Sequence, residues 1–277
     1  MERSLEKELL DELPSGDPRA LRSRQDLRRL NFCMGNARIL ARTLQKEFSR
    51  HLSFQIVDLG AGDGELLLRV ARRLRGKWRG VDAVLLDRQE TVSPGLAAQF
   101  AAHHWRVRPV TGEALPWLAQ TELRSKVIVA NLFLHHFTET QLQELFCAAA
   151  EKTDVLIAVE PRRARWPLFC SRWLGLIGCG PVTRHDAPIS VRAGFAGREL
   201  STLWPDVANW DLTEHAVGWF SHLFVARRRT PAPVVQPVID AVFGAGTESA
   251  DPPGAFATGR RMAHGAMDPP PAPRERV

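Results

Sequence analysis

The sequence contains no tyrosine and only four cysteines among its 277 residues. The cysteines lack the paired short spacings of a zinc site, and they are too few for a disulfide scaffold in a chain of this length. We therefore expect reduced thiols, no bound metal and a cytoplasmic location. The absence of tyrosine removes one common active-site acid, which gives more weight to histidine as a proton acceptor.

Long apolar runs are also absent. The N-terminal "MERSLEKELLDELPSGD" is charged throughout, so it lacks the apolar core of a secretory signal. No uninterrupted apolar run reaches the roughly 18 residues that a membrane span needs. The nearest, "WPLFCSRWLGLIGCGPV" at 166–182, is interrupted by Arg172, Gly180 and Pro181. We expect this stretch either to cover an apolar substrate or to lie at a membrane surface.

The composition is that of one globular domain of roughly 200–250 residues with some excess chain. The net charge of +6 arises from 37 basic and 31 acidic side chains, and the arginines are scattered in pairs. A nucleic-acid binder usually concentrates its basic residues in one stripe, so a solvated basic surface explains the charge better.

Apolar spacing divides the chain into three parts. Residues 1–50 form a predicted helical N-terminal cap, with a break between two helices at Gly35 and Asn36. In residues 51–228 strands alternate with helices, which predicts an α/β fold with a parallel sheet covered on both faces. This domain ends in an antiparallel hairpin, "NWDLTEHAVGWFSHLFVARRR". Residues 229–277 hold nine of the nineteen prolines and are predicted to be disordered.

The stretch "VDLGAGDG" at 57–64 follows the first strand and carries a glycine at every second position. Such glycines let the backbone approach a ligand at the carboxyl edge of the sheet. A dinucleotide site needs a small residue where Glu65 stands, and carboxylates at Asp58, Asp63 and Glu65 would repel a pyrophosphate. S-adenosylmethionine has no phosphate and carries a sulfonium and an ammonium group. The turn therefore favours this ligand over a nicotinamide cofactor.

"VDLGAGDG" resembles the first motif of class I S-adenosylmethionine-dependent methyltransferases, an acid followed by G-x-G-x-G. The resemblance covers roughly residues 20–228, because the sheet of that family also ends in an antiparallel hairpin. It implies a Rossmann-like fold with seven mostly parallel strands and helices on both faces.

The resemblance also implies cofactor-binding residues in the first two strand ends. Gly60 and Gly62 would pass under the methionine and ribose parts of S-adenosylmethionine, and Asp58 would fix the turn and face the ammonium group. Asp87 would accept hydrogen bonds from both ribose hydroxyls, with Arg88 beside the adenine. An ordinary turn residue at the end of a strand is the alternative for Asp87.

Further cofactor contacts are implied after the third and fourth strands. Glu113 and Ala114 match residues near the adenine amino group, although many relatives have Asp where this chain has Glu. A solvated loop acid is therefore an alternative for Glu113. Asn131 stands where the fourth strand opens onto the cofactor.

The substrate class is indicated by the segment after the fourth strand. "NLFLHHF" lacks the Pro-Pro-aromatic turn typical of methyltransferases that act on adenine or glutamine, and "LHHF" resembles the ubiquinone and menaquinone biosynthesis type. "DLRRLNFCMGNARIL" and "VTRHDAPISVRAGF" resemble a bacterial subgroup encoded beside polyketide-type synthases. This resemblance implies a small aromatic, quinone-like or pyrone-like acceptor.

An apolar insertion at residues 162–195 is expected on the substrate side. Trp166 and Trp173 would roof a pocket for a flat substrate, and packing of a helix on the core is the alternative.

Histidines supply the candidate proton acceptors. His185, beside Asp186 on a predicted loop, is the first candidate and His136 the second, with structural hydrogen bonding as the alternative. His135 and Asp186 are expected to line the substrate pocket. Arg184 is a candidate for holding an anionic substrate oxygen, with a surface ion pair as its alternative.

Three functions follow from these patterns. The first is methylation of a small molecule. The second is methylation of RNA or protein, suggested by the net charge and the arginines of the cap. The third is a cofactor-binding accessory subunit without activity. The acceptor atom and the oligomeric state are not determined by the sequence.

Overall fold

The computed structural model describes residues 1–14, 16–48, 54–90 and 92–229. Residues 230–277 of the predicted tail lie outside the described part, as do residues 49–53 at the predicted boundary between the cap and the main domain. The backbone N–H of Arg229, at the end of the described residues, donates to the carbonyl oxygen of Asn209 over 3.0 Å.

The described residues form one sheet of seven strands in the order β3-β2-β1-β4-β5-β7-β6. Strands β1 to β5 are parallel, and β7 pairs antiparallel with both β5 and β6. This arrangement confirms the predicted Rossmann-like α/β fold with its antiparallel edge hairpin. The strands are β1 (Phe54–Leu59), β2 (Val81–Asp87), β3 (Trp105–Thr111), β4 (Ser125–Asn131), β5 (Thr153–Pro161), β6 (Trp210–Val217) and β7 (Ser221–Arg228).

Helices connect and cover these strands. The α-helices are α1 (Leu9–Glu12), α2 (Pro18–Met34), α3 (Asn36–Glu47), α4 (Glu65–Arg73), α5 (Leu96–Ala101), α6 (Ala114–Gln120), α7 (Glu139–Lys152), α8 (Arg165–Ser171), α9 (Pro181–Ala193) and α10 (Glu199–Leu203). Short 3₁₀ helices span Leu134–His136, Leu174–Ile177 and Val207–Asn209.

The predicted break in the cap separates α2 from α3. Asp17 caps α2 by accepting from the backbone N–H of Arg19, and Pro18 occupies the first helical position. Gly35 ends the helix with φ at 73°, a left-handed conformation that favours glycine. Helix α3 then restarts the chain in a new direction.

Helices bury both faces of the sheet, and successive side chains along each strand point to opposite faces. In β1, Ile56 packs in the layer that contains α3 and α4, whereas Val57 and Leu59 pack in the layer that contains α6 and α7. The core therefore lies in two layers, and the carboxyl ends of the parallel strands are left as the edge where a ligand can approach.

The predicted loop at "TRHD" is wrong, since His185 and Asp186 lie within α9. Pro181 occupies the first turn of this helix, where its missing N–H costs nothing. Buried residues then recur with helical spacing, at Val182, Asp186 and Ile189. The burial of this face stabilises the helix more than the proline inside it destabilises it. No helix among the described residues is long and apolar enough to cross a bilayer.

Candidate active site

A cavity of about 1410 Å³ opens at the carboxyl ends of β1, β2 and β4. Strand order reverses between β1 and β4, and α/β sheets bind ligands at such a switch point. All eight residues predicted to bind the cofactor line this cavity: Asp58, Gly60, Gly62, Asp87, Arg88, Glu113, Ala114 and Asn131.

The glycine turn after β1 has a positive φ at Gly60 (68°) and at Gly62 (57°). A Cβ atom on Gly60 would lie 2.7 Å from Cγ of Phe133, whereas one on Gly62 would meet nothing within 4 Å. Gly60 is therefore required by packing, and Gly62 leaves open space for a ligand. The carboxylate of Asp87 fixes the turn by accepting the backbone N–H of Gly62 over 2.8 Å.

Two of the three acids of the turn are neutralised by arginines of the surrounding helices. Asp63 pairs with Arg28, and Glu65 with Arg69 over 2.9 Å. The third acid, Asp58, lies in β1 beside the end of β2, where Asp87 supplies a further carboxyl group. Of the three acids expected to repel a pyrophosphate, Asp63 and Glu65 therefore have their charge balanced, and the turn gains Asp87, which that expectation did not include.

Asp58 is fully buried, and its pKa is raised to about 8 by burial and by the charge of Asp87. Burial opposes the charged form of a carboxyl group, and a second carboxylate adds repulsion. A cationic group at this position would relieve both effects. The ammonium group of an amino-acid ligand has the required charge.

The other predicted cofactor residues are distributed around the cavity. Arg88 donates to Asp11 over 2.8 Å, so its guanidinium already has an anionic partner. Glu113 is exposed just before α6, and Ala114 is buried at the first position of that helix.

Asn131 belongs to a network of amides that joins β4 to the cap. It donates to Oδ1 of Asn31 over 3.0 Å and accepts from Nδ2 of Asn36 over 2.8 Å. Asn36 is fully buried and also pairs with Ser221 Oγ over 2.8 Å. This network sets the position of the cap helices relative to the cavity, and sequence patterns gave no sign of Asn31 or Asn36 as partners.

The N-terminal strap, which we define as residues 1–14, lies along the substrate side of the cavity. The first N–H groups of α1, those of Leu9 and Leu10, donate to the carboxylate of Asp186 over 2.9 and 3.0 Å. Arg3 donates to the carbonyl oxygens of Ala193 and Phe137, each over 2.8 Å. Asp186, predicted to contact substrate, therefore holds the strap in this structure.

His135 lies between two carboxylates at the floor of the cavity. Its Nδ1 is 2.9 Å from Glu160 Oε2, and its Nε2 is 3.5 Å from Glu8 Oε1 in the strap. Burial lowers the pKa of His135, but hydrogen bonds and charge from Glu160 and Glu8 outweigh it and raise the pKa to about 9. His135 is therefore an imidazolium at neutral pH.

Glu160 organises the short helix that carries both histidines. It is fully buried at the end of β5, and its Oε1 accepts the backbone N–H groups of Phe133 and Leu134 over 3.1 and 2.9 Å. The sequence signal for Glu160 is an acid at the end of a mostly apolar strand. The sequence analysis did not identify Glu160 as a site residue.

His136 lies at the rim of the cavity with Nδ1 3.2 Å from Asp11 Oδ2. Glu8, His135 and His136 each offer one ligand atom within 4.8 Å of the others, the spacing of a potential metal site. Each of these side chains already has a partner, since Glu8 contacts His135 and His136 contacts Asp11. The group therefore links the strap to the 3₁₀ helix that carries both histidines.

The remaining predicted substrate-side residues divide into two sets. Trp173 and Asp186 line the cavity, whereas Trp166, Arg184 and His185 do not. His185 Nδ1 contacts Asp186 Oδ1 over 2.9 Å, and its side chain is about half exposed. Because α9 replaces the predicted loop, His185 stands on a helix outside the cavity lining.

The chain matches no protein-family model and no curated protein sequence. Solved structures with a similar fold include the plantazolicin methyltransferase BpumL in complex with SAH, which is 14% identical with a TM-score of 0.54 over 77% of this chain and 92% of that one. An O-methyltransferase family protein from Burkholderia thailandensis is 17% identical, with a TM-score of 0.53 over 77% and 61%. The pyocyanin biosynthetic protein PhzM is 16% identical, with a TM-score of 0.51 over 80% and 62%.

These similarities establish the fold alone. The seven-stranded Rossmann-like sheet with its antiparallel edge hairpin is the part of this chain that the comparisons support. It spans about three fifths of the length of the Burkholderia protein and of PhzM.

Proposed function

We propose that the protein is an S-adenosylmethionine-dependent methyltransferase that acts on a small aromatic, quinone-like or pyrone-like acceptor. The observation that carries the proposal is that the glycine turn, Asp58 and Asp87 all line the same cavity. The buried carboxyl group of Asp58 and the partly buried carboxylate of Asp87, beside the glycine turn, suit a ligand that combines an ammonium group with a ribose.

The residues present fit this cofactor. Asp87 uses its two oxygens to accept N–H groups of Gly62 and Gln89, and each carboxylate oxygen keeps a further lone pair for a ribose hydroxyl. Asp58 would face the ammonium group. When bound, S-adenosylmethionine supplies a methyl group activated by the adjacent sulfonium. The remaining task of the protein is to align the acceptor and to exclude water.

The acceptor side combines apolar side chains with two histidines. Trp173 and Phe169 line the cavity, and His135 is an imidazolium whose two ring nitrogens both face carboxylates. An imidazolium accepts no proton. We therefore assign proton acceptance to His136, whose ring is held by Asp11. His185 is not retained in this role, since it does not line the cavity.

This lining favours a small acceptor over the RNA or protein alternative, because residues of the strap line the cavity together with apolar side chains. Membership in the ubiquinone and menaquinone type, or in its polyketide-associated subgroup, remains part of the proposal and depends on the motifs "LHHF" and "VTRHDAPISVRAGF".

Calorimetric titration with S-adenosylmethionine and, separately, with NADH tests the cofactor. We expect micromolar binding of S-adenosylmethionine alone. Loss of two charge-assisted hydrogen bonds in Asp87→Ala should weaken binding by about 100-fold. The matched control is Glu90→Ala, which removes an exposed acid outside the cavity lining.

Retention of full affinity by Asp87→Ala, or binding of NADH instead, would contradict the cofactor assignment. Methyl transfer to phenols, quinols or pyrones by the isolated chain would exclude the inactive accessory subunit. Cofactor binding without any turnover would favour it.

A further inference from the structure

Six large apolar side chains form a contiguous exposed surface beside the cavity, which we call the aromatic patch. Each is between 52% and 79% exposed. The patch consists of Trp166, Phe169, Trp173, Leu176, Ile177 and Trp219.

Ring contacts hold the aromatic members together. Trp166 lies 5.9 Å from Phe169 and 6.2 Å from Trp219 between ring centroids, and Phe169 lies 6.0 Å from Trp173. Leu176 and Ile177 follow in the adjoining 3₁₀ helix. Residues from α8, the 3₁₀ helix and the β6–β7 turn thus converge on one surface. A contiguous apolar surface of this kind marks an interaction site in a folded protein.

The segment that carries most of the patch has charged side chains of one sign. Residues 161–185 contain five arginines and no acidic residue. Arg165, Arg172 and Arg184 are exposed, and none of them forms an ion pair with another described residue. Arginine stems can pack along apolar surface while the guanidinium groups reach anionic headgroups. Indole rings suit the same boundary, because they are apolar with one polar N–H.

The patch is continuous with the cavity. Phe169, Trp173, Leu176 and Ile177 line the cavity as well as being exposed. Exposed apolar side chains therefore belong both to the aromatic patch and to the lining of the cavity.

We propose that the aromatic patch seats the protein on the surface of a bilayer that contains anionic phospholipid. The apolar side chains enter the boundary between headgroups and acyl chains, and the exposed arginines contact the anionic headgroups. The cavity mouth then faces the bilayer. In combination with the proposed methyl transfer, on which this last step rests, an acceptor with an alkyl chain can pass from the bilayer into the cavity.

Sedimentation with lipid vesicles tests the proposal. The full chain should sediment with vesicles of equimolar phosphatidylcholine and phosphatidylglycerol, and less with phosphatidylcholine alone. The double variant Leu176→Ser/Ile177→Ser should bind the mixed vesicles about tenfold more weakly, because two apolar side chains are lost from the contact. Arg172→Gln should reduce binding to the mixed vesicles and leave the weak binding to phosphatidylcholine unchanged.

The matched control is Val207→Ser, which also removes an exposed apolar side chain (53%). Val207 precedes β6 and Trp219 follows it, so the two lie at opposite ends of that strand. This variant should bind as the wild type does. Because Leu176 and Ile177 are largely exposed, the double variant should keep the wild-type melting temperature.

Three results would overturn the proposal. The first is failure of the wild type to sediment with the mixed vesicles, and the second is equal vesicle binding by the wild type and the double variant. The third is that the wild type does not bind vesicles but forms a dimer in size-exclusion chromatography, and that the double variant abolishes this dimer. The last would assign the patch to a second copy of the chain. Vesicle binding requires neither cofactor nor turnover, so Asp87→Ala should sediment as the wild type does even if methyl transfer is disproved.

Discussion

The charge of His135 makes the stability of the protein depend on pH. Its pKa rises from an ordinary value of 6.5 to about 9 in the folded protein, since Glu160 and Glu8 favour the imidazolium despite its burial. The folded state therefore binds this proton more tightly than the unfolded state. The associated stabilisation is complete below about pH 6.5 and is lost as the pH rises through about 9.

The size of the effect follows from the shift. A difference of about 2.5 pH units at about 1.4 kcal/mol each corresponds to about 3 kcal/mol of unfolding free energy. Asp58 contributes a loss of the same sign, because its folded pKa of about 8 also lies above its ordinary value. A variant that affects only the histidine network separates the two contributions.

The double variant Glu8→Gln/Glu160→Gln removes both anionic partners of His135 and keeps oxygen acceptors of similar size. Urea unfolding between about pH 6 and about pH 9.5 gives the free energy at each pH. The unfolding free energy of the wild type minus that of the double variant should fall by about 3 kcal/mol across this range. Glu144→Gln, which changes an exposed acid on α7, should follow the wild type. A pH-independent difference between wild type and double variant would refute the imidazolium assignment.

Two further predictions concern the glycine turn. Gly60→Ala and Gly62→Ala should each lower the unfolding free energy by about 1–2 kcal/mol, because each places a side chain on a left-handed backbone. Only Gly60→Ala also collides with Phe133, so it should melt at a clearly lower temperature than Gly62→Ala, which should mainly weaken cofactor binding. Equal melting temperatures for the two variants would contradict this packing. Asp58, with its pKa of about 8, should make affinity for S-adenosylmethionine rise between about pH 6 and about pH 8 in calorimetry, as the carboxylate forms. Asp58→Asn should remove that increase, and an unchanged pH profile would show that Asp58 does not face the ammonium group.

Local patterns predicted the parts of the fold that depend on short-range periodicity. The strands, the break at Gly35 and the edge hairpin were correct because burial alternates with a period set by each element. The convergence of the residues after β1, β2 and β4 on one cavity was also predictable, since parallel strands bring their carboxyl ends to one edge. The strap was not, because its contacts join residues far apart in sequence: Leu9 and Asp186 are separated by 177 positions. Helix α9 was missed because polar residues and an internal proline obscured its buried face.

The contacts of the strap also bear on the acceptor of the proposed reaction. Its polar contacts at Asp186, Ala193 and Phe137 lie outside the hydrogen-bonded ladder of the sheet, so it can detach while the sheet stays intact. Exchange of the Leu9 and Leu10 amide protons with solvent deuterium would report that opening. If an acceptor enters only when the strap is open, its apparent affinity equals the intrinsic affinity multiplied by the open fraction. Changes in the strap would then alter acceptor affinity without altering any contact made to the acceptor.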